Sequence, residues 1–407
     1  MWSVAIPVLM GGPEVAGGIS WAHPIGALHF RLDALGAFFL VWSLPMTLLG
    51  SVYAVGYLRK HFPGPRHVGV HFALLNMVAL SFVLVYTGDE VASCLFGWEV
   101  AALAAWQLVI WDYTNQKVRF AGFNYLVSTH VGLLFLVAAV MILYTHSQSW
   151  AFADIGRWMS SHPGTLRNVV FLLLVTSFGL KSAFFPFHSW LPPAHAGAPA
   201  AASAVLSALV VKGSWFLVVR LWFDAMPAVV TFDAAQLLGG LGAAAIVVGS
   251  VVALRQKRLK LLVAYSTIAQ IGYLFLMFPL AFDAATGALV HGHALTGGLL
   301  QAASHATAKA GMFMAAGLIY AALGHDRIAD LGGVARALPV TVLAFAVAGL
   351  ALMGVLPSGA YLAKKLLLGA AAGGGQWWWT MVLQGGAAFT AGYVVLVLTR
   401  ALRKPPA

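Results

Sequence analysis

The residues best suited to chemistry are ionisable groups set inside long apolar stretches. Five are lysines, Lys181, Lys212, Lys309, Lys364 and Lys365, and one carboxylate lies similarly deep, Glu99 in CLFGWEVAALAAW. A charge at the centre of a bilayer costs roughly 2.5–3.5 kcal/mol on insertion scales and more by other estimates. Chains that keep such groups there use them to move charge, so the pattern points to conduction of protons or cations. Burial brings ammonium and carboxyl groups nearer to neutrality, where they readily gain and lose a proton. A Glu99–Lys181 pair that opened and closed would switch the lysine's hold on its proton. One pKa unit is about 1.36 kcal/mol, so a modest helix shift would be enough.

Histidines extend the set. His305 lies one turn before Lys309, close to Gln301 and Ser304, and is the strongest relay candidate. His130, in STHVG, and His188 are secondary relay candidates. His195 follows a proline-rich turn that it anchors as readily as it relays, and His291 and His293 fall nearer an aqueous mouth. Blander roles compete with these: a buried Lys–Glu pair can serve helix packing alone, and a mid-span histidine can be a hydrogen-bonded core residue. Lys212 resists that account best, because its helix offers no acidic partner. Successive helix residues point about 100° apart, so one of Lys364 and Lys365 faces the interior. The other reaches a partner subunit or snorkels.

The elements that position these groups are apolar helices. The chain has 407 residues, 61% hydrophobic and 9% charged, a balance that excludes a water-soluble domain. Apolar runs of about 20 residues cross ~30 Å of hydrocarbon, and in lipid they must be helical to satisfy their own backbone. Eleven spans are read, near 34–57, 68–87, 91–111, 121–145, 168–190, 198–223, 229–253, 260–282, 288–321, 339–373 and 377–399. The predicted class is therefore an all-α polytopic membrane protein.

The net charge of +11 is a topology signal and not a nucleic-acid surface. Of 23 Lys and Arg, 14 fall in alternate connections, among them Arg59, Lys117, Arg258, Lys260, Arg336 and Arg403. Only Arg31, Arg157, Arg167 and Arg220 fall on the other side. This bias predicts an inner (plasma) membrane protein with its N-terminus outside and its C-terminus cytoplasmic. The single cysteine, Cys94, excludes an internal disulfide and a Cys-based metal site. No phosphate loop or nucleotide fingerprint is present, and the histidine spacing does not make a zinc site. The expectation is no metal and no cofactor on this chain, and no catalytic site of its own. The first residues lack the basic start of a cleavable signal. Trp377, Trp378 and Trp379 read as an interfacial belt.

Two spans carry breaks. VTSFGLKSAFFPFHSWLPP has Pro186 after Lys181, and ALMGVLPSGAYLAKKLLL has Pro357 and Gly359 before Lys364. Proline bends or interrupts a helix, and interrupted helices at matching places mark transporters built from inverted repeats. The organisation predicted is an outer-face segment, 1–30; a first peripheral helix and loop, 31–67; one five-helix repeat, 68–223; an inverted second, 229–399; and a basic cytoplasmic tail, 400–407. Each break falls in the fourth helix of its repeat.

These motifs resemble the antiporter-like membrane subunits of respiratory complex I, of Mrp cation/proton antiporters, and of energy-converting hydrogenases and formate hydrogenlyase. The resemblance covers roughly residues 25–395. It is carried by FRLDALGAFF, LFGWEVAALAAWQLVIWDY, GFNYLVSTHVGLLFL, GLKSAFFPFHSWLPPAHAGAPAAASAVLSALVVKGSWFLVVRL, KLLVAYSTIAQIGYLF, LLQAASHATAKAGMFMAAGLIY and DRIADLGGVARALPVTVLAF. RFAGFNYLVSTHVG and LPPAHAGAPAAASAVLSALVVK look closest to the hydrogenase-type branch. The resemblance implies a proton path along the membrane midplane through Glu99, Lys181, Lys212, His305, Lys309 and Lys364 or Lys365. It also implies homologous membrane partners and a soluble redox or other peripheral module. The second break departs from the family's usual Gly-Phe pattern, and the chain lacks peripheral helices that other members have.

The leading expectation is a proton-translocating subunit of a redox-driven complex, a translocase component. Alternatives are a Na+/H+ antiporter subunit, a proton path energising a partner such as an inorganic-carbon uptake protein, and a non-conducting scaffold. A scaffold has no use for so many deep charges.

Overall fold

The computed structural model describes residues 1–20, 27–61, 65–290 and 292–404. His291 and the last three residues of the tail lie outside them. The apolar runs form helices throughout, as a chain in hydrocarbon must. A short helix α1 (Trp2–Leu9) leads into an antiparallel hairpin of β1 (Val15–Ser20) and β2 (Ala27–Leu32), with Val15 opposite Leu32. Alternation is faint in VAGGIS, so no strand signal is legible there. The first half follows as α2 (Ala34–His61), α3 (Pro65–Thr87), α4 (Val91–Val109) and α5 (Gln116–Ser147). A surface helix α6 (Phe152–Ser161) precedes α7 (Thr165–Lys181) and the short α8 (Leu191–Gly197). Next comes one long rod, α9 (Ala200–Val205) and α10 (Val211–Arg220), joined by a π-helical turn at Leu206–Val210 and ending in a second at Leu221–Ala225.

The second half runs α11 (Phe232–Leu254), α12 (Leu259–Leu280), α13 (Gly292–Leu323), α14 (Val334–Ala337), α15 (Pro339–Met353), α16 (Gly359–Gly373) and α17 (Trp377–Leu402). Nine helices among the described residues are long and apolar enough to cross a membrane. Eleven spans were read because the two broken ones were each counted whole. The fifth stops at Lys181, giving a 17-residue helix, and the tenth splits into α15 and α16, of 15 residues each.

Local chemistry sets the boundaries. Asn115 caps α5 by accepting from Lys117 N (3.0 Å), Thr231 caps α11 through Ala234 N (3.2 Å), and Ser358 caps α16 through Tyr361 N (3.1 Å). Gly354, at φ 83°, closes α15 in the left-handed conformation that glycine adopts freely. Close packing of α11 on α12 depends on small residues. A Cβ at Gly242 would lie 2.8 Å from the Gly272 carbonyl oxygen.

The α9–α10 rod is wholly buried and α12 is nearly so, whereas only about a third of α3, α5 and α17 is buried. In a membrane protein that contrast marks the middle of the bundle. Lys212 sits on the rod; α13, which carries His305 and Lys309, packs against α9 and the adjoining π turn.

Candidate ion-conducting site

At the first break α7 gives out just after Lys181. Ser182 Oγ donates to Phe178 O (2.6 Å), Trp190 Nε1 donates to Leu180 O (2.9 Å), and Ala183 turns the chain in the left-handed region (φ 54°). Released carbonyls thus keep partners, which lets the interruption survive in a dry environment. The ammonium of Lys181 reaches across to α4, donating to Trp98 O at 2.6 Å and standing 3.9 Å from the centroid of the Trp98 ring.

Glu99 points elsewhere. Its Oε1 lies 3.2 Å from His130 Nε2 on α5, while its Oε2 is buried with no partner among the described residues. The expected Glu99–Lys181 ion pair is therefore absent. Adjacent helix residues diverge by about 100°, so the contact to Lys181 falls to Trp98 and the carboxylate turns toward α5. Glu99 remains close enough for its charge to act on Lys181. His130 Nδ1 also contacts Leu126 O (2.9 Å), which fixes its ring. The pair is partly open on the flank, with 32% of the Glu99 side chain and 38% of His130 exposed.

Lys212 is fully buried and donates to Ser207 O, five residues back. A π turn at Leu206–Val210 shifts the backbone hydrogen bonding there, and such turns favour functional sites. Around it stand groups from three other elements. The charges of Lys212 and Lys309 both reach His305, and those of Lys212, Lys260 and Lys309 all reach His195. Neither ring nitrogen of His305 has a partner among the described residues. Lys309 donates to Val263 O (3.0 Å) and to the Ser266 hydroxyl on α12.

One turn before His305, a neutral relay leads onward. Gln301 Nε2 donates to Gln270 Oε1 (2.9 Å), and Gln270 Nε2 donates to Thr390 Oγ1 (3.2 Å) and Tyr393 OH (3.3 Å). At the second break Lys364 donates to Leu352 O and Met353 O, both at 3.0 Å, and lies 5.1 Å from the Tyr273 ring. These are terminal carbonyls of α15, where a cation meets both orphan acceptors and the negative helix end. Lys364 is buried and Lys365 is exposed, which resolves the pair left open by the sequence.

Other candidates stand apart from this string. His188 is half-buried and stacks on Phe185 (5.4 Å) at the first break, and His293 is exposed. Two central residues were underrated in the sequence. His195 stacks on Phe313 (4.5 Å) in the middle of the lysine cluster, and Lys260 turns inward from the start of α12 to donate to Ala198 O (2.6 Å). His195 hid in a proline-rich turn and Lys260 in a cluster of connection cations. No local signal separates them from their neighbours.

A second polar knot ties the start of α2 to the end of α10. Arg220 Nη1 and Nη2 donate to the two oxygens of Asp33 at 2.7 and 3.0 Å, and Nη1 also donates to Asp224 at 2.8 Å. Burial pushes the Asp33 carboxyl up, but the Arg220 hydrogen bonds and charge outweigh it and hold the group below its usual value of 3.8. Among the described residues no cluster of three or more His, Cys, Asp or Glu side chains could hold a metal ion.

Comparison with known proteins bears on this geometry. A family model described as NADH:quinone oxidoreductase/Mrp antiporter, transmembrane, matches residues 88–390. An uncharacterized protein of Mycobacterium tuberculosis is 33% identical over 365 residues, covering 86% of this chain and 54% of the relative's length. NADH-quinone oxidoreductase subunit N of Desulforudis audaxviator is 31% identical over 389 residues, 94% of this chain and 74% of the relative. Among solved structures, a chain of the Mrp complex from Dietzia sp. superposes with a TM-score of 0.86 at 21% identity, covering all of this chain and 74% of that one. The structural match shows a shared fold.

Proposed function

Since the chain belongs to the NADH:quinone oxidoreductase/Mrp antiporter transmembrane family, we propose that it moves protons along its buried lysine–histidine string as one membrane subunit of a larger complex. The driving reaction takes place on other chains, of redox type, with homologous membrane subunits beside this one. The path runs from Glu99, His130 and Lys181 through Lys212 and His195 to His305 and Lys309. It continues by way of Gln301 and Gln270 towards Lys364. The observation that carries this reading is Lys212: a fully buried amine on the central rod, with no carboxylate partner among the described residues, between two further buried lysines and two buried histidines. A packing role gives no reason to keep that charge at a cost of several kcal/mol. Lys181 takes and gives its proton under the influence of the neighbouring Glu99–His130 pair. The Arg and Lys bias of the alternate connections supports a cytoplasmic C-terminus.

In proteoliposomes of the full chain, an acid pulse should drive proton flux that Lys181→Ala and Glu99→Ala abolish in protein that still melts cooperatively. Wild-type flux in either variant would refute the role. Cation/proton antiport is the second reading, favoured by the likeness to the Mrp fold and by the half-open Glu99 carboxylate. Flux that requires Na+ or K+ on the opposite side would select it.

A further inference from the structure

Where the two halves meet on the Arg/Lys-rich side, a cavity of about 790 Å3 opens between α2, α5, α8, α12 and α13. Lys117, Arg258 and Lys260 line it against a single carboxylate, Asp112. Asp112 is engaged by the Thr114 hydroxyl at 2.7 Å, and Arg258 is steadied by Asp326 at 2.8 Å. Lys260 forms the buried floor, and the exposed Lys117 ammonium has no partner among the described residues. Tyrosines from three helices, Tyr57, Tyr265 and Tyr320, complete the wall. Such a volume fits a ligand site, and the excess of positive charge asks for an anion.

The cavity does not end in water on every side. Phe120 lines it and is 64% exposed, and Phe123, Val127, Val131 and Leu134 continue from it as an exposed apolar stripe along α5. A basic pocket ringed by tyrosine, opening onto an apolar track at helical spacing, combines the recognition of a headgroup with that of an acyl chain.

We propose that this cavity binds the phosphate headgroup of an anionic phospholipid, with one acyl chain along the α5 stripe. Basic pockets between transmembrane helices on the cytoplasmic side recognise such headgroups. A soluble phosphate ester shares the headgroup chemistry but has no use for the stripe. An acidic protein segment would meet the cations and leave the stripe without a function. The bound lipid braces the first half against the second beside Lys260, close to the central lysine cluster. This inference rests on the cavity and its walls, and its test reads binding, so it stands or fails apart from conduction.

Delipidated full-length protein is titrated with phosphatidylglycerol, phosphatidylcholine or soluble glycerol phosphate, and followed by native mass spectrometry and thermal melting. Phosphatidylglycerol should be retained selectively and should raise the melting temperature. Lys117→Gln should weaken that retention about fivefold, the worth of one interfacial cation, while leaving the lipid-free melting temperature unchanged. Phe120→Gln should weaken retention of the lipid as well. Equal retention of phosphatidylcholine, or no effect of Lys117→Gln, would overturn the proposal. So would stabilisation by glycerol phosphate equal to that by the lipid, or loss of the lipid from the chain in its assembled complex, where a partner segment would then fill the cavity.

Discussion

The two broken helices each bury a lysine, and they stabilise it by different means. At the first, Lys181 ends its own helix and leans on the Trp98 carbonyl and ring, with the Glu99–His130 pair one residue beyond. At the second, Lys364 sits early in α16 and gives its ammonium to the last carbonyls of α15. Among the described residues no carboxylate pairs with it. The first environment contains a carboxylate and an imidazole, side chains that carry ionisable groups. The second consists of backbone dipoles that stay as they are. The first lysine has ionisable neighbours, and the second, where the proposed path ends, is held by backbone carbonyls.

The largest effects should separate these two sites by function. Glu99→Gln keeps the shape of the first site and removes its charge, so it should lower proton flux at least tenfold and shift the pH dependence of what remains. Flux with an unaltered pH profile would show that the carboxylate does not tune Lys181. A stability difference should appear at the Asp33 end of the same half, where a carboxylate pairs directly with a buried cation. Asp33→Asn should cost about 3 kcal/mol at neutral pH, near the lower end for a broken buried pair because Asp224 remains on Arg220. The folded Asp33 carboxyl is held below its unfolded value near 3.8, so its contribution is fully present above that value. It disappears as pH falls through the lower folded value. Melting curves of the two proteins should therefore converge in strong acid, and a constant gap would contradict the assignment.

At the second break the contrast predicts a smaller, structural effect. Lys364→Met strands two terminal carbonyls and should destabilise by about 1–3 kcal/mol in detergent melting. Lys181→Met should cost less, since Trp98 O is an acceptor within a continuous helix. Equal losses would erase the distinction drawn between the sites. Lys365→Gln, altering an exposed side chain, should change neither melting nor flux.

Much of this arrangement was legible before any coordinates. Lys181, Lys212 and Lys309 stood out because nothing in an apolar run explains a lysine, and the breaks announced themselves through Pro186 and Pro357. What escaped was whatever depends on direction. Helix periodicity says that Trp98 and Glu99 diverge, but which of them meets Lys181 is decided by how α7 crosses α4. Choosing Lys364 over Lys365 likewise needed the position of α15. Lys260 looked like one more cation in the run RQKRLK, and only the fold turns it inward. The hairpin of β1 and β2 was missed because glycine-rich segments carry little alternation.

The most direct test is the proton flux of Lys212→Met in proteoliposomes, measured alongside its melting temperature. Methionine fills much the same volume and removes the buried charge, so the protein should melt no lower than the unmodified chain while flux falls to the level of empty vesicles. Flux that survives in a stable Lys212→Met protein would contradict the account, because protons would then be crossing without the amine at its centre.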